Sequence, residues 1–172
     1  PLVELREKGA EFLGETFPLQ DLFLGSTLIT GTIGEISKLA ILAGGLFLIL
    51  RRKISWIIPA GFLAGLAGFA TIFWLIDPET YASPLFHLLA GGSLLAAFFL
   101  ATDWTTSPVT KTGMALFGLL CGVMTMIIRL WSQWPEGAYF AVFMVSMLTP
   151  FFDKLRPRAF GSKFRNERPV HS

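Results

Sequence analysis

The chain has a single cysteine, Cys121, and only 15% of its 172 residues are charged. One thiol in the middle of an apolar stretch can build neither a disulfide framework nor a cysteine-ligated metal centre, so Cys121 reads as a packing group. Motifs of catalysis and nucleotide binding are missing as well: there is no GxxxxGK followed by Ser or Thr, no GxGxxG, no CxxC, no HExxH and no GxSxG. Nucleotide hydrolysis, dinucleotide binding, iron–sulfur ligation by this chain and hydrolase chemistry therefore lack support, and no catalytic residue or metal set can be named. Residues 1–20 do not have the basic-then-apolar layout of a signal peptide. The chain opens on Pro1 rather than an initiator methionine, and is expected to be the C-terminal part of something longer.

What is present is apolar. Hydrophobic residues make up 53% and aromatics 14%, the mean hydropathy is +0.61, and a soluble domain would carry about a quarter charged residues. These values predict an all-α integral membrane protein. Five apolar segments, Ile33 to Leu50, Ile54 to Ile76, Leu85 to Thr102, Gly113 to Leu130 and Ala138 to Phe152, each approach the ~20 residues that cross a bilayer as a helix. The first and last are marginal. The first takes in Glu35 and Lys38 and is expected to be tilted, shielded by protein or broken near Gly31 and Gly34. The division that follows is an outward segment at 1–32, a transmembrane domain at 33–153 and a basic tail at 154–172.

Basic residues set the orientation. Arg51, Arg52, Lys53, Lys111, Lys154, Arg156, Arg158, Lys163, Arg165 and Arg168 fall on one side of five crossings, against Arg6, Lys8, Lys38 and Arg129 on the other. The first side is predicted cytoplasmic, which puts the N-terminus outside and the C-terminus inside. Because the basic residues lie in clusters beside apolar spans, they report topology and exclude a nucleic-acid partner. Gly61 with Gly65, and Gly118 with Gly122, are spaced for close helix packing. The Gly91–Gly92 pair beside His87 reads as packing or pocket lining.

Few polar groups punctuate the spans, and in hydrocarbon such groups tend to mark pathways or sites. Asp103 lies among Thr102, Thr105, Thr106, Ser107 and Thr110 ahead of Pro108, either as an oxygen ligand for a hard cation or as a loop cap. Asp153 could collect cations on the same face or pair with Lys154 or Arg156. Arg129 could clamp a phosphate bidentately or snorkel to headgroups. Glu35 and Lys38, three apart, read as a self-neutralising pair, Glu136 as a helix cap, and His87 as a proton carrier, a cofactor contact or a satisfied helix-end histidine.

In order along the chain, GTIGEISKLAILAGGLFLILRRKISW (31–56), HLLAGG (87–92), FFLATDWTTSPVTKTG (98–113), FGLLCGVMTMIIRL (117–130), PEGAYFAV (135–142) and TPFFDKLRPRAFG (149–161) resemble the C-terminal half of the D subunit of the Rnf electron-transport complex. Its close relative is the B subunit of the sodium-pumping NADH:quinone reductase. The similarity covers nearly the whole chain, with departures at Ile36 and Trp104. It implies about five transmembrane helices forming the second half of a ten-helix inverted-repeat bundle. It also implies a multi-pass inner-membrane subunit, working with the other subunits of the complex, that couples electron flow between ferredoxin and NAD to movement of Na+ or H+. The family carries FMN on the threonine of an S-G-A-T motif in an outward loop. That threonine is not in this chain and is expected just before Pro1; a second flavin stays open. By position and chemistry, Thr32, Glu35, His87 and Arg129 are the outward groups nominated for the cofactor. Asp103 and Asp153 are the inward groups nominated for the ion pathway. The competing readings are a channel or secondary transporter of inverted-repeat fold, and a passive anchor for neighbouring subunits.

Overall fold

The computed structural model describes residues 37–78, 81–132 and 137–154, which contain helices and no strand. Helix α1, Lys38–Leu50, starts where the Ser37 hydroxyl accepts the Ala40 N–H at 3.3 Å, satisfying one of the donors that a first turn leaves over. It stops in a Schellman turn: Arg52 adopts a left-handed φ of 54°, and the Lys53 and Arg52 N–H groups donate to the carbonyls of Leu48 and Ile49 at 3.0 and 2.8 Å. Helix α2, Ile57–Ile76, follows directly. Ser83 caps and Pro84 opens the short α3, Pro84–Leu89. Helix α4, Ser93–Leu95, runs on as a π-helical stretch, Ala96–Leu100. After a loop at 101–110, Thr110 caps α5, Lys111–Trp131, by accepting from Gly113 N–H at 3.1 Å. The described chain ends in α6, Ala138–Ser146, and α7, Thr149–Lys154.

Two of these helices, α2 with 20 residues and α5 with 21, are long and apolar enough to cross a membrane, since 20 residues at 1.5 Å each span about 30 Å. They pack most extensively on one another, and α6 lies against α5. Phe62, Leu66, Phe117, Cys121 and Met126 fill the seam. The glycine pairs explain how closely the two helices approach. A Cβ on Gly61 would stand 3.0 Å from the Ala115 carbonyl oxygen and one on Gly118 2.5 Å from that of Ile58, while Gly65 and Gly122 face the carbonyls of Leu119 and Phe62. Backbone therefore lies on backbone with no side chain between. Cys121 is fully buried there, as its packing role requires.

The outer surface is apolar where a soluble protein would be polar. Leu46, Leu50, Leu75, Ile76, Phe143 and Met147 are all exposed, and so wide an apolar skin suits lipid rather than water. Hydroxyls within the spans bond back along their own helices: Thr71 to Ala67 O and Thr125 to Cys121 O, both at 2.7 Å. At one end Phe73 packs edge-on against Trp131 and Tyr81, with centroids 5.5 and 5.4 Å apart. At the other end the 101–110 loop meets α7.

The expected third span, Leu85 to Thr102, is not one rod. It breaks at residues 90–92 between α3 and α4, where Gly91 takes a φ of 64°. Left-handed backbone is open to glycine, and each glycine disfavours helix by about 1 kcal/mol. The last span breaks too, at Met147 and Leu148. Pro150 has no N–H to give the Ser146 carbonyl and its ring crowds that oxygen. The expected break near Gly31 and Gly34 lies outside the described residues.

Candidate functional site

The break in the third span leaves backbone carbonyls without helical partners inside an apolar bundle, where each unsatisfied group costs several kcal/mol. Two cations answer them from distant parts of the chain. From the last turn of α5, Arg129 directs Nη1 to the His87 carbonyl at 2.6 Å, and Nη2 to the Ala90 carbonyl at 3.0 Å and to Ser93 Oγ at 2.6 Å. Its planar fork suits this, because donors that diverge in one plane can hold several acceptors at once. From the start of α1, Lys38 donates Nζ to the Gly91 carbonyl at 2.9 Å. The Ser93 hydroxyl adds contacts of 3.2 Å to the carbonyls of His87 and Ala90. Lys38 is 5% exposed, Arg129 8% and Ser93 not at all.

Sequence position groups His87 with Arg129, and the structure brings them together, through the His87 backbone carbonyl rather than its ring. The ring is buried, packs edge-on against Phe86 at 5.9 Å, and leaves Nδ1 without a hydrogen-bond partner among the described residues. His87 is thus a helix-end histidine but not a satisfied one. The guanidinium of Arg129 turns inward to the break, not outward to headgroups. Lys38 reaches Gly91; Thr32, Glu35 and Glu136 lie outside the described residues. Sequence reasoning missed Ser93, and it missed Lys38 as anything beyond a partner for Glu35. The sequence carries no signal for either beyond the Gly91–Gly92 pair, which fits helix packing equally well.

The second cluster sits around the 101–110 loop. Asp103 is exposed and accepts from Thr105 Oγ1. It lies on the rim of a groove of about 600 Å³ lined by Phe99, Leu100, Tyr139, Phe143 and Met147. Asp153 is half-buried and accepts the Val109 N–H at 2.9 Å through Oδ1, while Thr149 Oγ1 donates to the Thr106 carbonyl at 2.6 Å. These two bonds tie α7 to the loop. Of the two nominated carboxylates, then, Asp103 is open to solvent and Asp153 fastens backbone. Among the described residues no three of His, Cys, Asp and Glu gather as a metal set.

Comparison with known proteins adds what geometry alone does not. Residues 1–161 match the family described as NQR2, RnfD, RnfE. The chain is 41% identical over 164 residues to the D subunit of an ion-translocating oxidoreductase complex from Stutzerimonas stutzeri, covering 95% of this chain and 46% of that protein. The namesake in Halorhodospira halophila is 47% identical over 132 residues, covering 76% and 37%. In Acetobacterium woodii, the D subunit of a Na(+)-translocating ferredoxin:NAD(+) oxidoreductase complex is 41% identical over 149 residues, covering 86% and 45%. The chain spans less than half the length of these relatives. With the match running across nearly all of its own length, the chain belongs to the NQR2, RnfD, RnfE family.

Proposed function

We propose that this chain is the C-terminal half of a membrane subunit of an Rnf-type ion-translocating oxidoreductase, working with the other subunits of that complex in the inner membrane. In this reading it couples electron flow between ferredoxin and NAD to Na+ or H+ movement. The observation that carries the reading is the match of residues 1–161 to the NQR2, RnfD, RnfE family together with 41% identity to the D subunits of such complexes over 164 and 149 residues, supported by two membrane-length helices and an apolar outer skin. The N-terminus faces outward, and a flavin supplying one- and two-electron chemistry hangs from a threonine upstream of Pro1. Among the described residues, the Arg129 guanidinium and the His87 backbone carbonyl are engaged with each other at the helix break and form no cradle for a flavin ring. The test is a denaturing gel of the full-length protein. A fluorescent flavin band is expected, lost when the threonine before Pro1 becomes alanine, and a colourless intact protein overturns the flavin reading.

The two inner carboxylates separate by what they touch. Asp103 is open to solvent, so its charge can attract cations, whereas Asp153 holds Val109. In the full-length complex reconstituted in vesicles, Asp103→Asn is expected to lower donor-driven cation uptake about tenfold, the equivalent of about 1.4 kcal/mol of lost attraction. Asp153→Asn, whose amide oxygen still accepts the Val109 N–H, is expected to transport within about twofold of wild type. Equal uptake in Asp103→Asn and wild type would remove Asp103 from the pathway. The channel or secondary-transporter reading draws on the broken third span, since interrupted helices also build substrate pores. It requires solute flux with no electron donor present.

A further inference from the structure

The three cations that follow α1 are left over by the fold. Arg51, Arg52 and Lys53 are all exposed, and the last carbonyls of the helix do not need their side chains: those of Phe47, Leu48 and Ile49 accept the backbone N–H groups of Arg51, Lys53 and Arg52 at 2.9, 3.0 and 2.8 Å. No acid occurs in the sequence from Lys38 to Ile76, and among the described residues no carboxylate pairs with any of the three. Arg52 also holds its φ of 54° at the turn position that glycine fills freely and that a residue with a Cβ fills at a cost. The helix dipole favours positive charge at this end, but it asks for no arginine at position 52 in particular.

What adjoins these charges is bare hydrocarbon. The Arg51 guanidinium lies over the Phe47 ring, 5.7 Å from its centre, and Phe47, Leu50 and Trp56 are 58, 73 and 65% exposed. With Leu39 and Leu46, also exposed, Phe47 and Leu50 form one apolar stripe that runs along α1 to the cations. The cluster marks one end of the bundle. Gly61 faces Ala115 and Gly65 faces Leu119, so α2 and α5 run parallel; their starts share an end with Arg51, Arg52 and Lys53, and their finishes meet at Phe73 and Trp131. The 20 residues of α2 set the two ends about 30 Å apart, which places the cations and Trp56 at a water–lipid boundary.

We propose that Arg51, Arg52 and Lys53 bind the headgroup of an anionic phospholipid, with its acyl chain lying along Leu46, Phe47 and Leu50 and the Trp56 ring beside it at the boundary. Charge and hydrocarbon in this order along one helix match the order of phosphate and chain in a phospholipid. A soluble phosphate or an acidic protein segment would meet the charges and leave the stripe uncovered. Each cation held near a membrane surface strengthens the attraction of an anionic lipid about fivefold. The proposal rests on the membrane reading above and not on electron or ion transfer.

Arg52→Gly separates the two demands on this position, because glycine relaxes the left-handed turn while one charge is lost, and the two cations that remain keep the charge bias that orients the chain. The experiment reads the melting temperature of the full-length protein in its complex, in phosphatidylcholine bilayers with increasing phosphatidylglycerol. In pure phosphatidylcholine the variant is expected to melt about 2 °C above wild type. As phosphatidylglycerol is added, wild type is expected to gain stability, and Arg52→Gly to need about fivefold more of that lipid for half of its gain. The same midpoint in both proteins overturns the proposal, as does melting of the variant below wild type in pure phosphatidylcholine, which would show that Arg52 serves the fold itself. Equal stabilisation by glycerol phosphate in solution, or loss of a neighbouring subunit from the Arg52→Gly complex, shows a different occupant and overturns it too. Wild type recovered from the aqueous fraction instead of the membrane would sink the membrane reading, whereas an unchanged midpoint sinks the lipid site alone.

Discussion

Replacing Arg129 with alanine is expected to cost the bundle about 2–6 kcal/mol, because two or more buried acceptors lose a charged donor where no water can replace it. The acceptors are the carbonyls of His87 and Ala90 and the Ser93 oxygen, at 2.6, 3.0 and 2.6 Å. Ser93 cannot compensate: its single hydroxyl proton lies between two carbonyls, each 3.2 Å from the oxygen, and can serve one at a time. The loss should appear as poor recovery of monodisperse full-length complex from detergent and a melting temperature lower by about 10 °C. Arg129→Lys is expected to fall between, since one ammonium reaches fewer acceptors than a fork. Wild-type melting in Arg129→Ala would mean that the break is held by something other than this guanidinium.

Much of this arrangement is legible in the residues. Within the described residues each of the five apolar runs contains helix, and Ser37, Ser83 and Thr110 cap helices as small hydroxyl residues before apolar runs do. Gly61, Gly65, Gly118 and Gly122 read as packing glycines from their spacing and meet backbone to backbone. The broken third span is not legible. Hydropathy averages over a window, so Ala90–Gly91–Gly92 inside apolar neighbours looks continuous, and only the left-handed turn at Gly91 shows the interruption. The partners of that break are hidden for a second reason. Lys38 and Arg129 come from opposite ends of the domain, 53 and about 40 residues from the carbonyls they hold, and sequence spacing carries no signal for contacts made by tertiary folding. Local logic therefore offers Arg129 a headgroup, while the Glu35 partner that it offers Lys38 lies outside the described residues. For Asp153, adjacency suggests an ion pair with Lys154 or Arg156, whose side chains lie outside the described residues; the bond described is the one it accepts from the Val109 N–H, 44 residues upstream in sequence order.

Gly122→Ala should damage the α2–α5 seam out of proportion to one methyl group. A Cβ there would stand against the Phe62 carbonyl oxygen, 2.6 Å from Leu66 N and 3.1 Å from the Gly65 carbonyl carbon. All three are backbone atoms that cannot rotate aside. The helices would have to separate, opening the contacts of Phe62, Leu66 and Cys121, which are fully buried in that seam. The expected cost is about 3 kcal/mol, near the top of the range for overpacking. Gly68→Ala, in the partner helix α2, is the control, because a Cβ there meets nothing within 4 Å. Alanine at that site should leave the full-length protein as stable as wild type or improve it by about 0.5–1 kcal/mol, through the lower helix cost of alanine. Thermal unfolding of the two variants in the same detergent makes the comparison. If both melt alike, α2 and α5 are not in backbone contact and the packing described for this seam is wrong. If only Gly122→Ala loses stability, the penalty belongs to the close approach and not to the substitution of glycine in a helix.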